Sequence, residues 1–304
     1  MSRFEGGTII NSDYSALEMR ILGLVARDEG MTQAFLNDED LHTSTATIVF
    51  NKPMDEITKD ERQASKSVSF GVAYGESPSS LAPKLGITKE EAEGIFNKYF
   101  ENKPNIKGFI DDTHEFVKQH GYVDTLQGHR RLIREALSKN FSTLNSGLRK
   151  SVNTLIQGTG SYLTNMALTY IDDYIRENSK KSRIIATVHD SICLDCPPDE
   201  VTEMAKVVKF IMENLPIDFL FIKWNGEKIR YPIKSEVEIG VTYNDLVEFD
   251  GEEYNNFRST HGYTKYHLDL ERFDDYANNG MITKEQAEQG KQQIEDAKEN
   301  YEKI

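Results

Sequence analysis

Hydrophobic positions in this chain change period several times, and each change marks an element. Thr8, Ile9 and Ile10 form a short apolar run after Gly6-Gly7, the pattern of a strand ending at Asn11-Ser12-Asp13. Leu17, Ile21, Leu22 and Leu24-Val25 then share one helical face, and Ser12 or Asp13 is placed to cap that helix. From about residue 31 to 135 helical spacing dominates. Asp40-Leu41-His42-Thr43 opens one helix, and the polar stretch Thr58 to Glu61 leads into another. Thr88 followed by Glu91 is a capping box for a third, which Pro104 stops. A further helix from about Asn105 to His120 ends at Gly121. Tyr122 to Leu126 alternates as a strand does and leads into a basic loop, Gly128-His129-Arg130-Arg131. A long helical region spans about Ser142 to Asn178, with an interruption expected at Gly158-Thr159-Gly160. Arg183 to Val188 and Ser191 to Cys196 are β-rich runs around His189-Asp190, which predicts a hairpin with Asp190 at its tip. Pro197-Pro198 closes the second run, and a helix from about Asp199 to Asn214 comes next.

After Tyr243 the chain turns polar with scattered aromatics: Tyr254, Phe257, Tyr263, Tyr266, Phe273 and Tyr276. Thr283-x-x-Gln286 predicts a capped last helix, along which Ala287, Gly290, Ile294, Ala297 and Tyr301 keep three-four spacing. Charge follows the same division. The chain carries a net −14, and residues 245–304, with 15 acidic against 7 basic side chains, hold eight of those charges. In the remainder, Arg130, Arg131, Arg134, Lys139, Arg149 and Lys150 are bunched. Local charge governs phosphate attraction when screening acts over about 8–10 Å, so the acidic total does not exclude a nucleic-acid partner. Cys193 and Cys196 have no second ligand pair at metal spacing, and on a strand they point to opposite faces, as packing residues of a reducing compartment do. No apolar run reaches the roughly 20 residues needed to cross a bilayer, and Met-Ser-Arg-Phe-Glu-Gly-Gly has no apolar targeting region. The expected location is the cytoplasm of a cell or an infected host.

The stretch that carries chemistry runs from Arg62 to Gly75. Arg62, Lys66, Phe70 and Tyr74 recur every fourth residue, so a helix presents them as one stripe. Two cations, a flat apolar ring and a hydroxylated ring are the parts needed to hold a triphosphate, a base and a sugar. A surface helix with a basic face and two core aromatics would use the same residues.

Two aspartates in strand-to-turn settings flank this stretch. Ser12-Asp-Tyr-Ser-Ala-Leu-Glu-Met-Arg20, Arg62 to Gly75 and Thr187-Val-His-Asp190 are similar, in that order and spacing, to the three catalytic motifs of the family A DNA polymerases, the bacterial polymerase I and phage type. The resemblance reaches from near the N-terminus to about Tyr243. It implies an α/β (α+β) right-hand fold: an antiparallel palm sheet from residues 1–30 and 141–244, a helical fingers insertion at 31–140, and an acidic extension at 245–304. It also implies template-directed DNA synthesis with two Mg²⁺ ions, acting on primer-template DNA and dNTPs.

Residue by residue, Asp13 and Asp190 resemble the metal-binding carboxylates. Arg62, Lys66 and His42 resemble the triphosphate contacts. Phe70 and Tyr74 resemble the residues that pack on the incoming sugar and base, and Glu18 the steric gate against a ribose 2′-hydroxyl. Arg149, Asn153 and Gln157 match a helical set touching template and primer, His189 a primer-side position, and Arg130-Arg131 phosphate contacts. One departure stands out. The family usually follows His-Asp with glutamate, and this chain has Ser191.

Single-subunit phage RNA polymerases carry serine there, so an RNA polymerase fragment is the alternative enzyme, opposed by Glu18. A non-catalytic DNA-binding or processivity subunit is the alternative outside enzymes. The family places a thumb, part of the palm and usually a 3′–5′ exonuclease before the first motif, whereas Asp13 lies twelve residues after Met1. The expectation is a C-terminal palm and fingers portion without thumb or exonuclease, from a split gene, working with a separate N-terminal fragment. The tail after Tyr243 is either a docking surface for that fragment or a solvated helical extension.

Overall fold

The computed structural model describes residues 2–244, 246–249, 251, 270, 273–274, 276–278 and 280–298. Tyr254, Phe257, Tyr263, Tyr266 and Tyr301 of the tail lie outside the described residues. The chain divides into two compact units, one comprising residues 1–14, 167–212 and 235–304, the other residues 15–166 and 213–234.

The first unit is built on an antiparallel sheet. Strands β1 (Thr8–Tyr14), β4 (Arg183–Val188), β5 (Ser191–Cys196), β8 (Ser235–Gly240) and β9 (Val247–Glu248) lie in the order β4-β5-β1-β8-β9. In β5 every residue is buried, and in β1 every residue but Asp13. Ile9, Ile10, Ile192, Leu194, Val237 and Ile239 form the apolar centre of this sheet. Helix α9 (Val201–Glu213) contributes Val201, Met204, Ala205 and Val208 to the core, residues three and four apart on one face. Cys193 and Cys196 are both buried free thiols, in keeping with a packing role. Asp195 on β5 fixes the chain's start: its carboxylate accepts Ser2 Oγ at 2.5 Å and Arg3 Nε at 2.9 Å.

The strand expected to stop at Asp13 runs on to Tyr14, and neither Ser12 nor Asp13 caps the next helix. Helix α1 (Leu17–Ala26) instead starts after Ala16 in the left-handed conformation, without a side-chain cap. Ser12 is inward and buried on the sheet, so its hydroxyl is unavailable to the helix. The two-residue hairpin tip at His189-Asp190 is as expected, with Val188 paired to Ser191 and His189 at φ 55°.

The second unit is mainly helical: α1, α2 (Glu29–Leu36), α3 (Leu41–Phe50), α4 (Lys59–Ala73), α5 (Pro78–Leu85), α6 (Lys89–Asn102) and α7 (Pro104–His120). Capping boxes at Thr58/Glu61 and Thr88/Glu91 start α4 and α6, and Gly121 in the left-handed region ends α7. The strand expected after Tyr122 is β2 (Tyr122–Asp124), and it pairs with β3 (Arg130–Leu132), so Arg130 and Arg131 lie on a strand rather than in a loop. A second hairpin joins β6 (Phe221–Trp224) and β7 (Glu227–Arg230).

Helix α8 (Phe141–Glu177) is continuous, which overturns the interruption expected at Gly158-Thr159-Gly160. Thr159 returns its hydroxyl to the Leu155 carbonyl at 2.7 Å. Gly160 serves close packing: a Cβ there would stand 3.2 Å from Leu17 Cδ2 and 3.3 Å from Ile21 Cδ1. Gly147 is more constrained still, since its Cβ would meet the Ala136 nitrogen at 2.4 Å and the Glu135 carbonyl carbon at 2.8 Å. In the tail, α10 (Lys284–Asp296) begins at the expected Thr283/Gln286 capping box and buries Ala287 and Gly290. Among the described residues no helix is long and apolar enough to cross a membrane.

Candidate active site

In the first unit the sheet gathers carboxylates. Side chains alternate across a strand, and directly opposed residues of an antiparallel pair share a face. Asp13 opposes Glu236, and two residues along Asn11 opposes both Glu238 and Cys193, so these five share one face. Cys193 Sγ donates to Asn11 Oδ1 at 3.0 Å, and Asn11 Nδ2 reaches Glu238 Oε2 at 3.4 Å. The Asp190 carboxyl, at the hairpin tip, comes within hydrogen-bonding contact of Asp13.

Asp13 is exposed as a residue, yet the protonated form of its carboxyl is favoured. Partial desolvation, the Asp190 charge, the bond between the two carboxyls, then Glu236 and Glu238 raise it to about 6. Ser191 is buried and donates its hydroxyl to the Val188 carbonyl at 3.0 Å, inside its own hairpin. His189 is exposed beside Asp190.

Asp13 and Asp190 offer hard oxygen donors of the kind Mg²⁺ takes. A divalent cation would relieve the charge crowding that pushes Asp13 up, so the residues fit such an ion. Among the described residues no three His, Cys, Asp or Glu side chains close into a full cage. Glu236 and Glu238 escaped sequence reasoning. The alternation Ser235-Glu-Val-Glu-Ile-Gly240 carried the signal, but only the strand register sets both beside Asp13.

In the second unit α4 buries Ser65, Val68, Ser69 and Val72, while Arg62 of its stripe is exposed and Lys66, Phe70 and Tyr74 are half-buried. The stripe organises as a series of contacts. Arg62 Nε donates to Asp40 Oδ2 at 2.6 Å. Lys66 Nζ lies 5.9 Å from the centre of the Phe70 ring, within cation-π range. Phe70 stacks on Tyr74 at 6.2 Å and 21°, and the His42 ring tilts against Phe70 at 5.8 Å and 35°. Tyr74, the residue just past the end of α4, donates its hydroxyl to Glu18 Oε1 at 3.1 Å. His42 sits at the start of α3 with Nδ1 buried and unpartnered. Burial holds this imidazole below its ordinary value; Asp40 opposes that, while Lys66 and Arg62 add to it. His42, Arg62, Lys66, Phe70, Tyr74 and Glu18 therefore form one contiguous set.

The residues matched to DNA contacts divide. Asn153 and Gln157 of α8 line a cleft of about 610 Å³ together with Arg131, Gln127 and His129. Arg131 donates to Thr154 Oγ1 at 3.1 Å, and Gln127 Nε2 donates to the Gly158 carbonyl at 3.2 Å. Arg149 is exposed one turn earlier on α8, its backbone against Gly75. Arg130 is turned away to its own hairpin, with two bonds of 2.8 Å to Asp124 and its guanidinium 3.8 Å above the Tyr122 ring. The cleft also takes Ser161 and Asn165. Their four-residue spacing continues that of Asn153 and Gln157 along α8.

The paired aspartates at the sheet end and the cation-to-aromatic stripe of α4 are thus each in place within their own unit. The chain belongs to DNA polymerase family A, whose model matches residues 2–245. It is 44% identical over 253 residues to the DNA polymerase of Bacillus phage SP01, a match covering 81% of this chain and 27% of the phage protein. DNA polymerase I of Bacillus subtilis (strain 168) is 36% identical over 206 residues, covering 68% of this chain and 23% of its own length. Among solved structures, the polymerase domain of Pol1 from M. smegmatis, in complex with primer-template DNA and dNTP, superposes with a TM-score of 0.70 at 30% identity. That superposition covers 78% of this chain and 40% of the other. The chain thus spans about a quarter of the length of the curated relatives it matches.

Proposed function

We propose that this chain carries the catalytic portion of a DNA-directed DNA polymerase. The observation that carries this reading is the contact between the Asp13 and Asp190 carboxyls, with its uncompensated charge, at one end of the sheet. In the reaction, the primer 3′-oxygen attacks the α-phosphorus of a dNTP, a P–O bond forms, and pyrophosphate leaves. Asp13 and Asp190 would hold two Mg²⁺ ions, which when bound activate the primer hydroxyl and neutralise the triphosphate.

The chain's own residues do the rest. Arg62, Lys66 and His42 bind the triphosphate. Phe70 and Tyr74 pack on sugar and base. Glu18 fills the space of a 2′-hydroxyl, and the Tyr74 hydroxyl holds that carboxylate in place. Asn153, Gln157 and Arg149 meet the minor groove of the primer-template duplex, where donors find acceptors common to every base pair. Arg131 and Arg130 meet phosphates, Arg130 after leaving Asp124, and His189 meets the primer end.

In this reading residues 1–30 and 141–244 are palm, residues 31–140 fingers, and residues 245–304 an acidic extension. The work is done in the cytoplasm of a cell or phage-infected host. We further infer a separate partner fragment that supplies the thumb grip. The edge of the described sheet supports it: β4 stands last in the strand order with Ile185 44% and Val188 46% exposed.

Primer extension with Mg²⁺ tests these proposals, comparing dNTPs with rNTPs and the chain alone with the chain from a lysate of its source. Template-dependent dNTP addition, lost in Asp190→Asn, is the expected result. Preferential rNTP addition would support the RNA polymerase alternative that Ser191 raises. DNA binding without extension in either sample would support a non-catalytic subunit. Processive extension by the isolated monomer at physiological salt would refute the partner.

A further inference from the structure

The triphosphate set contains one charged side chain outside the roles assigned so far, Asp40. It caps α3, and its two oxygens make different bonds. Oδ1 accepts the His42 N–H at 3.0 Å and the Thr43 N–H at 3.4 Å. Oδ2 accepts the Thr43 hydroxyl at 2.8 Å and Arg62 Nε at 2.6 Å. Partial burial pushes this carboxyl up, but Arg62, the Thr43 hydroxyl and the two amides outweigh it and hold it at about 2. One carboxylate therefore ties the start of α3, where His42 stands, to the Arg62 guanidinium on α4.

We propose, building on the nucleotide-site reading, that Asp40 is a positioning residue for the dNTP triphosphate: it fixes the plane of the Arg62 guanidinium and aims its terminal N–H groups at the phosphates. Three arguments support this. Capping α3 requires only Oδ1, and serine or threonine would serve there as well, so the Oδ2 bond to Arg62 is additional. An aspartate beside a polyanion adds like-charge repulsion, a poor choice at this place unless it returns something. What it returns is order. Free arginine side chains lose much rotamer freedom on binding, whereas Arg62 is already held through Nε. The bond at Nε leaves the four N–H groups of the two terminal nitrogens, the fork that takes phosphate oxygens.

The test is equilibrium binding of a dNTP and of inorganic tripolyphosphate to the whole chain, for Asp40→Ser, Asp40→Asn, Arg62→Ala and Asp40→Ser/Arg62→Ala. Melting temperatures are measured in parallel. Asp40→Ser keeps a cap but loses the tie, so both ligands should bind about three- to tenfold more weakly with little change in melting. Asp40→Asn keeps a cap and a neutral acceptor for Nε–H, and should recover part of that loss. In the Arg62→Ala background Asp40→Ser should have no further effect, and a nucleoside without phosphates should not distinguish any of the variants. Binding by Asp40→Ser that equals or exceeds wild type, or a loss that persists without Arg62, overturns the proposal while leaving the nucleotide site intact. Failure of Arg62→Ala itself to weaken binding would refute the underlying site instead, and the inference with it.

Discussion

Asp13→Asn should inactivate the chain and yet stabilise it. The wild-type carboxyl is raised from an ordinary 3.8 to about 6 by partial desolvation, by Asp190, and by Glu236 and Glu238. A rise of roughly two units corresponds to about 3 kcal/mol at 1.36 kcal/mol per unit. Asp13 is exposed, so solvent screening reduces this to about 1 kcal/mol. A group raised on folding contributes no penalty below its unfolded value of 3.8 and loses stability for the protein as pH climbs through about 6. In chelator at about pH 8, the asparagine variant should therefore melt about 2–4 °C above wild type, and at about pH 3 the difference should vanish. Added Mg²⁺ should raise the melting temperature of wild type more than that of the variant, narrowing or reversing the gap. Calorimetry or circular dichroism at both pH values reads all of this without any turnover. A variant that melts at or below wild type at the higher pH, or a gain that persists unchanged at the lower one, would refute the charge-crowding argument.

Three further outcomes rest on contacts in the structure. Glu18→Ala releases the Tyr74 hydroxyl and, on the proposed gate role, opens the 2′ space, so ribonucleotide incorporation relative to dNTP should rise about ten- to a hundredfold in single-nucleotide extension; an unchanged ratio would remove Glu18 from the gate. Gly147→Ala forces a Cβ onto backbone atoms of Glu135 and Ala136 that cannot yield, and should cost about 1–3 kcal/mol in urea denaturation. Asp195 is pushed up by burial but lowered overall by Ser2, the Arg3 N–H and the Arg3 guanidinium. Its contribution is therefore present above 3.8 and lost as pH falls through its lower folded value. Asp195→Asn should accordingly destabilise at neutral pH, with the difference from wild type shrinking in acid.

Local chemistry made much of this fold legible. Thr88/Glu91 and Thr283/Gln286 announced helix starts that occur where expected, because a capping box satisfies its amides within four residues. The His189-Asp190 tip was likewise visible between two β-rich runs. The errors share a cause. Ser12 looked like a cap and Gly160 like a breaker because both residue types have strong local preferences. Long-range packing decided otherwise, burying Ser12 in the sheet and setting Gly160 against Leu17 and Ile21. At the candidate site, the four-residue stripe on α4 was readable because helical period alone brings its members together. Glu236 beside Asp13 and Asp40 on Arg62 were not, since those contacts depend on strand register and on how α3 meets α4. Arg130 is bonded to Asp124 here, a pairing that depends on the β2–β3 register and so could not be read from the bunching of cations.

Strand β5, buried along its whole length, has a consequence for how this protein can change. Asp190 stands on a tip whose position is set by Ser191 to Cys196, each of them part of the core. Any volume change among those six side chains would displace the carboxylate as well as loosen the interior. Stability and, on the proposed function, turnover are thus one variable along this strand, and laboratory evolution would find few neutral steps there. Gains in either property are to be sought on exposed positions such as those of α7, where a substitution has room to be tolerated.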